Sequence, residues 1–176
     1  MTPSPMISRK ACVFWPLLSL LVFTDCTTKR LAEDYLGANG PHSVLGDVVQ
    51  LTLAYNPGAA TGITIGDWSR PVFSVLAITV LAILGSMYQR ASAHDRWLAL
   101  GLALIAGGAI GNLIDRLRSE RGVVDFIDIG LGSARFWIFN VADVGVIVGA
   151  LLLGVLLWRR DRAAADVVPS PVQAHR

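Results

Sequence analysis

The chain has 176 residues, 53% of them hydrophobic and only 16% charged, with a net charge of +2 and a mean hydropathy of +0.56. That balance exceeds what a water-soluble domain carries and marks a membrane protein, while the small net charge, with no basic run interleaved with aromatics, excludes a nucleic-acid partner. Two cysteines, Cys12 and Cys26, and three scattered histidines, His42, His94 and His175, form no metal-ligand or redox spacing, so no metal or cofactor is expected.

A bilayer core takes about 20 mostly apolar residues per helix, and four stretches meet or approach that length: 11–27, 71–89, 97–114 and 139–158. The first is short and preceded by Arg9 and Lys10 in the manner of a cleaved leader. Asp25 stands where a cleavage site wants a small residue, so the stretch is read as a retained span. Short basic flanks set orientation. "RK" before the first span, "QRASAHDRW" between the second and third and "WRRDR" after the fourth share one side, which places both termini in the cytoplasm. Arg116, Arg118, Arg121 and Arg135 then lie on the outer side, an excess that suggests partners there.

Residues 30–70 are too many for a simple connector. Within them "VVQLTLAYN" alternates apolar and polar positions as a half-buried strand does, and "NPGAATG" supplies turn residues. The second outer loop, 116–138, leads through "VVDFIDIGLGSARFWIF", whose β-branched and aromatic content with a glycine break suits the same sheet. The tail 161–176 is expected to be disordered. The expectation is a mainly α membrane protein, one domain over 1–160, with four transmembrane helices and a small extracytoplasmic β-sheet.

Ionisable groups in a span cost about 2.5–3.5 kcal/mol at its centre and are functional candidates by default. Here they gather at one depth. Asp25 and Lys29 end the first span, Asn112, Asp115 and Arg116 the third, and Asn140 and Asp143 begin the fourth, with Asp125 and Asp128 just beyond. Spacings of three and four put Asn112 with Asp115 and Arg116, and Asn140 with Asp143, on shared helix faces. "GGAIG" (107–111) and "GVIVG" (145–149) allow close helix contact.

Hydrolysis at that depth needs an activated nucleophile. A Ser–Lys dyad would have to use Lys10 or Lys29, and a Cys–His pair Cys26 and His42, with nothing evident to orient them. Two aspartates need no further partner: at close range both cannot easily ionise, so they share a proton and titrate as a unit. One then acts as base on a water while the other polarises a scissile carbonyl. Two rival readings use the same residues. A proton-coupled transporter or lipid-handling protein would employ the carboxylates as relays, although transporter sites usually lie at the midplane; a non-catalytic scaffold would not need them at all.

Five blocks stand in order along the chain: "DCTTK" (25–29), "NPGAA" (56–60), "GGAIGNLIDR" (107–116), "GVVDFID" (122–128) and "FNVAD" (139–143). On these the chain resembles the lipoprotein signal peptidases, the type II signal peptidases of bacteria, from the first span to the fourth. The resemblance implies a multi-pass aspartic endopeptidase of the bacterial inner membrane, with an outer β-cradle and a short amphipathic helix over the site. Such an enzyme cuts prolipoproteins just before a diacylglyceryl-modified cysteine and uses no metal or cofactor. Its partners would be diacylated prolipoproteins and membrane lipids, met by a monomer.

The resemblance further implies Asp125 and Asp143 as the catalytic pair. It implies Asp25, Lys29, Asn56, Gly58, Ala59, Asn112, Asp115, Arg116, Asn140 and Ala142 as residues that bind substrate or support the site, Asp115 by orienting Arg116. Cys26 and Thr61 stand where the family usually has Gln and Phe, departures that bear on the substrate pocket rather than on the chemistry. Asp128, three residues after Asp125, falls on the opposite face of an extended strand and is read as solvated or structural. Arg116 either holds a carboxylate or contacts lipid.

Overall fold

The computed structural model describes residues 8–58, 64–132 and 134–167; Ala59 and Thr61 lie outside them. Among the described residues four helices are long and apolar enough to cross a membrane: α1 (Arg9–Asn39), α2 (Ser69–Arg90), α3 (Arg96–Arg118) and α4 (Val141–Val167). Helix α3 is the hub, packing against all three others. Its Leu98, Ala99, Leu102, Ala103 and Ala106 form the core with Phe14 of α1, Leu84 of α2 and Leu153 of α4. Small residues permit this closeness. A side chain at Gly108 would collide with the Ala142 carbonyl, and one at Gly111 with the Asp25 carboxylate, so both glycines let neighbouring helices approach the backbone of α3.

Two helices outrun their expected ends. Helix α1 continues through 28–39 because Ala32 and Leu36 recur at helical spacing and bury against Phe126, giving this polar segment an apolar seam. Reading the helix only as far as the apolar run lasts stops it too early. Helix α4 continues through 161–167, where disorder was expected. Ala163, Ala164 and Ala165 are strong helix formers, Arg162 stacks on Trp158 at 4.3 Å, and Arg160 pairs with Asp95 at 2.6 Å.

The two long connections meet in one antiparallel sheet, of order β1 (His42–Leu45), β2 (Val49–Asn56), β3 (Val123–Leu131) and β4 (Ala134–Arg135). Strand β2 pairs with β3, Ala54 opposite Asp125 and Gln50 opposite Asp128, with an irregularity between Leu51 and Ala54. The sheet lies at the end of the bundle where α3 finishes and α4 begins. Its Phe126 packs on α1, and the adjacent Asp125 points the other way, as strand alternation requires. No separate short helix occurs among the described residues; residues 59–63, between β2 and α2, are outside them.

Candidate active site

The start of α4 is held by three contacts, two of them reciprocal. Asn140 immediately precedes the helix. Its Oδ1 accepts from the Asp143 backbone N–H at 3.0 Å, and an Asp143 carboxylate oxygen accepts from the Asn140 N–H at 3.2 Å. This is a capping box, which satisfies donors that the first helical turn leaves without partners. The next donor, Ala142 N–H, reaches across to Asp25 of α1 at 2.8 Å. Ala142 and Asn140 are completely buried.

Asp25 belongs to an ionic cluster at the same depth. The Lys29 ammonium has three donors, and they meet Asp25 at 2.8 Å, Asp115 at 2.9 Å and the Asn112 side-chain oxygen at 2.8 Å. Lys29 is 1% exposed. Such deep charges are tolerable only when paired and hydrogen-bonded this fully. Asp115 also accepts from the Val124 N–H at 3.2 Å, tying β3 to α3. The expectation that Asp115 orients Arg116 is therefore corrected: its carboxylate is taken by Lys29, Val124 and, at 3.5 Å, Arg118. An ammonium placed on the same face by α1 outcompetes its sequence neighbour.

Asp125 and Asp143 face a different environment. Asp125, 3% exposed, accepts from the Asn140 side-chain amide at 2.6 Å and from the Asn56 amide at 3.2 Å. Asn56 is turned that way because its own oxygen accepts from the Gly58 N–H at 3.0 Å. Asp143, half-buried, accepts from the Asn112 amide at 2.8 Å. Both carboxyl groups line one cavity of about 120 Å³, together with Asn56, Asn112, Arg116 and Trp137. Burial, followed by the negative charge of Asp143, pushes the Asp125 carboxyl up to about 6, against the lowering effect of the Asn56 and Asn140 amides.

Arg116 borders this cavity, but its guanidinium serves carbonyls and not carboxylates: Gly58 at 2.8 Å and Asn112 at 3.2 Å. The ring of Phe73 lies 5.9 Å from it. Gly58 is thus pinned between Asn56 and Arg116, and the loop leaving β2 is fastened to α3.

The remaining outer charges have structural partners. Asp128 is buried, not solvated, and pairs with Arg135 at 2.9 Å across the β3–β4 hairpin. Arg118 and Arg121 both reach Glu33, at 2.8 and 3.4 Å, and Arg121 stacks over Tyr55 at 4.0 Å. Sequence reasoning missed Glu33, whose signal was its position one turn beyond Lys29 on the same helix. It also missed Trp137 and Ile138, which line the cavity and stand just before "FNVAD". Among the described residues no group of three or more His, Cys, Asp or Glu is arranged to hold a metal ion.

The family model described as Signal peptidase (SPase) II matches residues 17–159. The lipoprotein signal peptidase of Pseudomonas putida is 36% identical over 169 residues, 94% of this chain and 98% of its own length. That of Burkholderia mallei is 39% identical over 152 residues, 85% of this chain and 90% of its own. A structure described as a bacterial membrane enzyme, solved in meso at 2.3 Å resolution, is similar with a TM-score of 0.71 at 26% identity, covering 89% of this chain and 92% of that one. A second, at 1.9 Å, has a TM-score of 0.66 at 29% identity, covering 80% and 89%.

Proposed function

The chain belongs to the signal peptidase II family, membrane proteases that remove signal peptides from bacterial prolipoproteins, and from that premise we propose that it is an aspartic endopeptidase in which Asp125 and Asp143 together activate a water. The observation that carries this reading is the shared cavity: two carboxyl groups line one small space, each held by a carboxamide and, among the described residues, neither by a cation within ion-pair distance. At about 30 Å³ per liquid water, the space admits a few water molecules.

The roles divide by environment. Asp125 is the more buried and its proton affinity is raised, so it carries the shared proton and polarises the scissile carbonyl oxygen. Asp143, more open to the cavity, takes a proton from the water as it attacks the carbonyl carbon. The resulting tetrahedral diol collapses as the leaving amine is protonated, and the two aspartates end with one proton between them. Asn56, Asn112 and Asn140 hold the carboxylates and offer polar contacts to an extended substrate backbone. Arg116 keeps the Gly58 loop at the cavity rim.

The substrate is a diacylated prolipoprotein approaching sideways through the outer leaflet, cut just before its lipid-bearing cysteine. Both termini are cytoplasmic and the site lies near the outer membrane face. The transporter reading is disfavoured by position, because the polar cluster gathers at one set of helix ends and the spans are unbroken among the described residues. Incubating purified enzyme with a diacylated precursor, and locating the cut by mass spectrometry, tests the assignment. A cut at the lipid-bearing cysteine that disappears in Asp125→Asn and Asp143→Asn is expected; turnover retained in both variants would reject it.

A further inference from the structure

Lys29 is hydrogen-bonded to neither reactive aspartate, yet it bears on how Asp143 is held. A carboxamide has one oxygen and one NH₂ group, so fixing the oxygen fixes where the donors point. The Asn112 oxygen accepts from Lys29 at 2.8 Å and from the Asn140 amide at 3.2 Å. Its NH₂ must then face away from both, and there it meets Asp143 at 2.8 Å. The Asn140 NH₂, which meets the Asn112 oxygen, also reaches Asp125 at 2.6 Å. The ammonium therefore sets the direction of the Asn112 amide that donates to Asp143, whereas the Asn140 amide, its oxygen already capping the Asp143 N–H at 3.0 Å, is aimed at Asp125 by the start of α4.

Removing the charge reverses the preference. Asp25 and Asp115 would remain beside Asn112 without their cation, and two carboxylates attract an NH₂ rather than an oxygen. The flipped amide would turn its oxygen on Asp143, setting acceptor against acceptor where a donor had been. The charged and titratable groups around this path include Asp25 on the lysine's own helix, Asp115, Arg116 and Arg118 on α3, Arg118 at 3.5 Å from Asp115, Asp125 on β3 and Asp143 on α4.

We propose that Lys29 is a positioning residue for the proteolytic reaction, acting through the orientation of Asn112 to present an N–H donor to Asp143. The proposal rests on the two-aspartate reading above and adds a determinant that the chemistry itself does not touch. Lysine suits the position better than arginine, because a compact ammonium can serve three acceptors converging from two helices, whereas a planar guanidinium needs more room.

A double-mutant cycle on the full-length enzyme, cleaving a diacylated precursor, tests it. Lys29→Met should lower kcat by about 100-fold with KM changed less than about threefold. In an Asn112→Ala background the same substitution should lower kcat by no more than about threefold, because the relay is already gone. Lys29→Gln, which keeps an N–H for the Asn112 oxygen, should retain at least about a tenth of kcat. Equal losses from Lys29→Met in both backgrounds would overturn the proposal, since a purely structural lysine predicts additivity. If Lys29→Met does not fold, Lys29→Gln decides: a loss beyond about tenfold in a protein with an unchanged melting temperature overturns it. Wild-type enzyme that fails to cleave would instead reject the two-aspartate reading itself.

Discussion

Two pairs of carboxylates lie in one polar cluster, and the fold treats them oppositely. Asp25 and Asp115 share the ammonium of Lys29 and also accept backbone N–H groups from Ala142 and Val124, so their charge is balanced and fixes helices to one another. Asp125 and Asp143 receive side-chain amides, and Asp143 the Asn140 backbone N–H as well, and both face a cavity, with no ion pair to either among the described residues. The difference separates two tasks. The ion-paired set supplies rigidity, and the other two, in the mechanism proposed above, keep like charges close enough that a shared proton would relieve them.

The largest expected effect breaks the reactive pair. Asp143→Asn or Asp125→Asn should lower turnover by at least about 10²–10⁴-fold. The double variant should be no worse than either single one, because the two act as a unit; single-turnover assays on the precursor would read this. Breaking the other pair should act on folding. Asp115→Ala leaves Lys29 short of a counter-ion and Val124 N–H without its acceptor, and should cost about 3–5 kcal/mol, measured by thermal unfolding in detergent.

Asp125→Asn should sharpen the contrast by moving stability the other way. Its folded carboxyl holds a proton up to about 6, above the ordinary value of 3.8. Between those limits the folded protein binds a proton that the unfolded chain releases, so this group's contribution falls as pH rises and is lost above the window. The Asn variant escapes that loss and should be more stable than wild type at pH 8 by up to about 3 kcal/mol, and little different near pH 4. Melting curves at the two pH values would measure it. The smallest effect belongs to the periphery. Glu33→Ala removes partly exposed pairs with Arg118 and Arg121 and should cost no more than about 1 kcal/mol, with cleavage retained.

Much of this cluster was legible in the sequence, for physical reasons that also mark where reading fails. A carboxylate at the end of an apolar run has so few tolerable surroundings that Asp25, Asp115 and Asp143 announced a shared site. Alternation along "VVQLTLAYN" announced β2, and the odd spacing of Asp125 and Asp128 put them on opposite faces. What was hidden depends on contacts between distant segments. Asp115 turns to Lys29 only because α1 passes there, and the burial of Asp128 follows from the return of Arg135 on β4. The extension of α1 was hidden because hydropathy reports where lipid ends, not where a helix ends. Asn140 was read as a helical residue, whereas its capping role is set by the backbone just before α4.

The overhang of α1 has a mechanical result. Thirty-one residues at 1.5 Å each make a rod about 46 Å long, against a hydrocarbon thickness of about 30 Å. The sheet bearing Asp125 is bolted to the projecting part through Leu36 and Phe126, so its height is measured from protein, not from lipid. A thinner or thicker bilayer can slide along this mast without changing the spacing of the reactive groups. What it changes is how far a membrane-anchored substrate would have to travel to reach them, so that bilayer thickness would become a tuning dial on the proposed reaction.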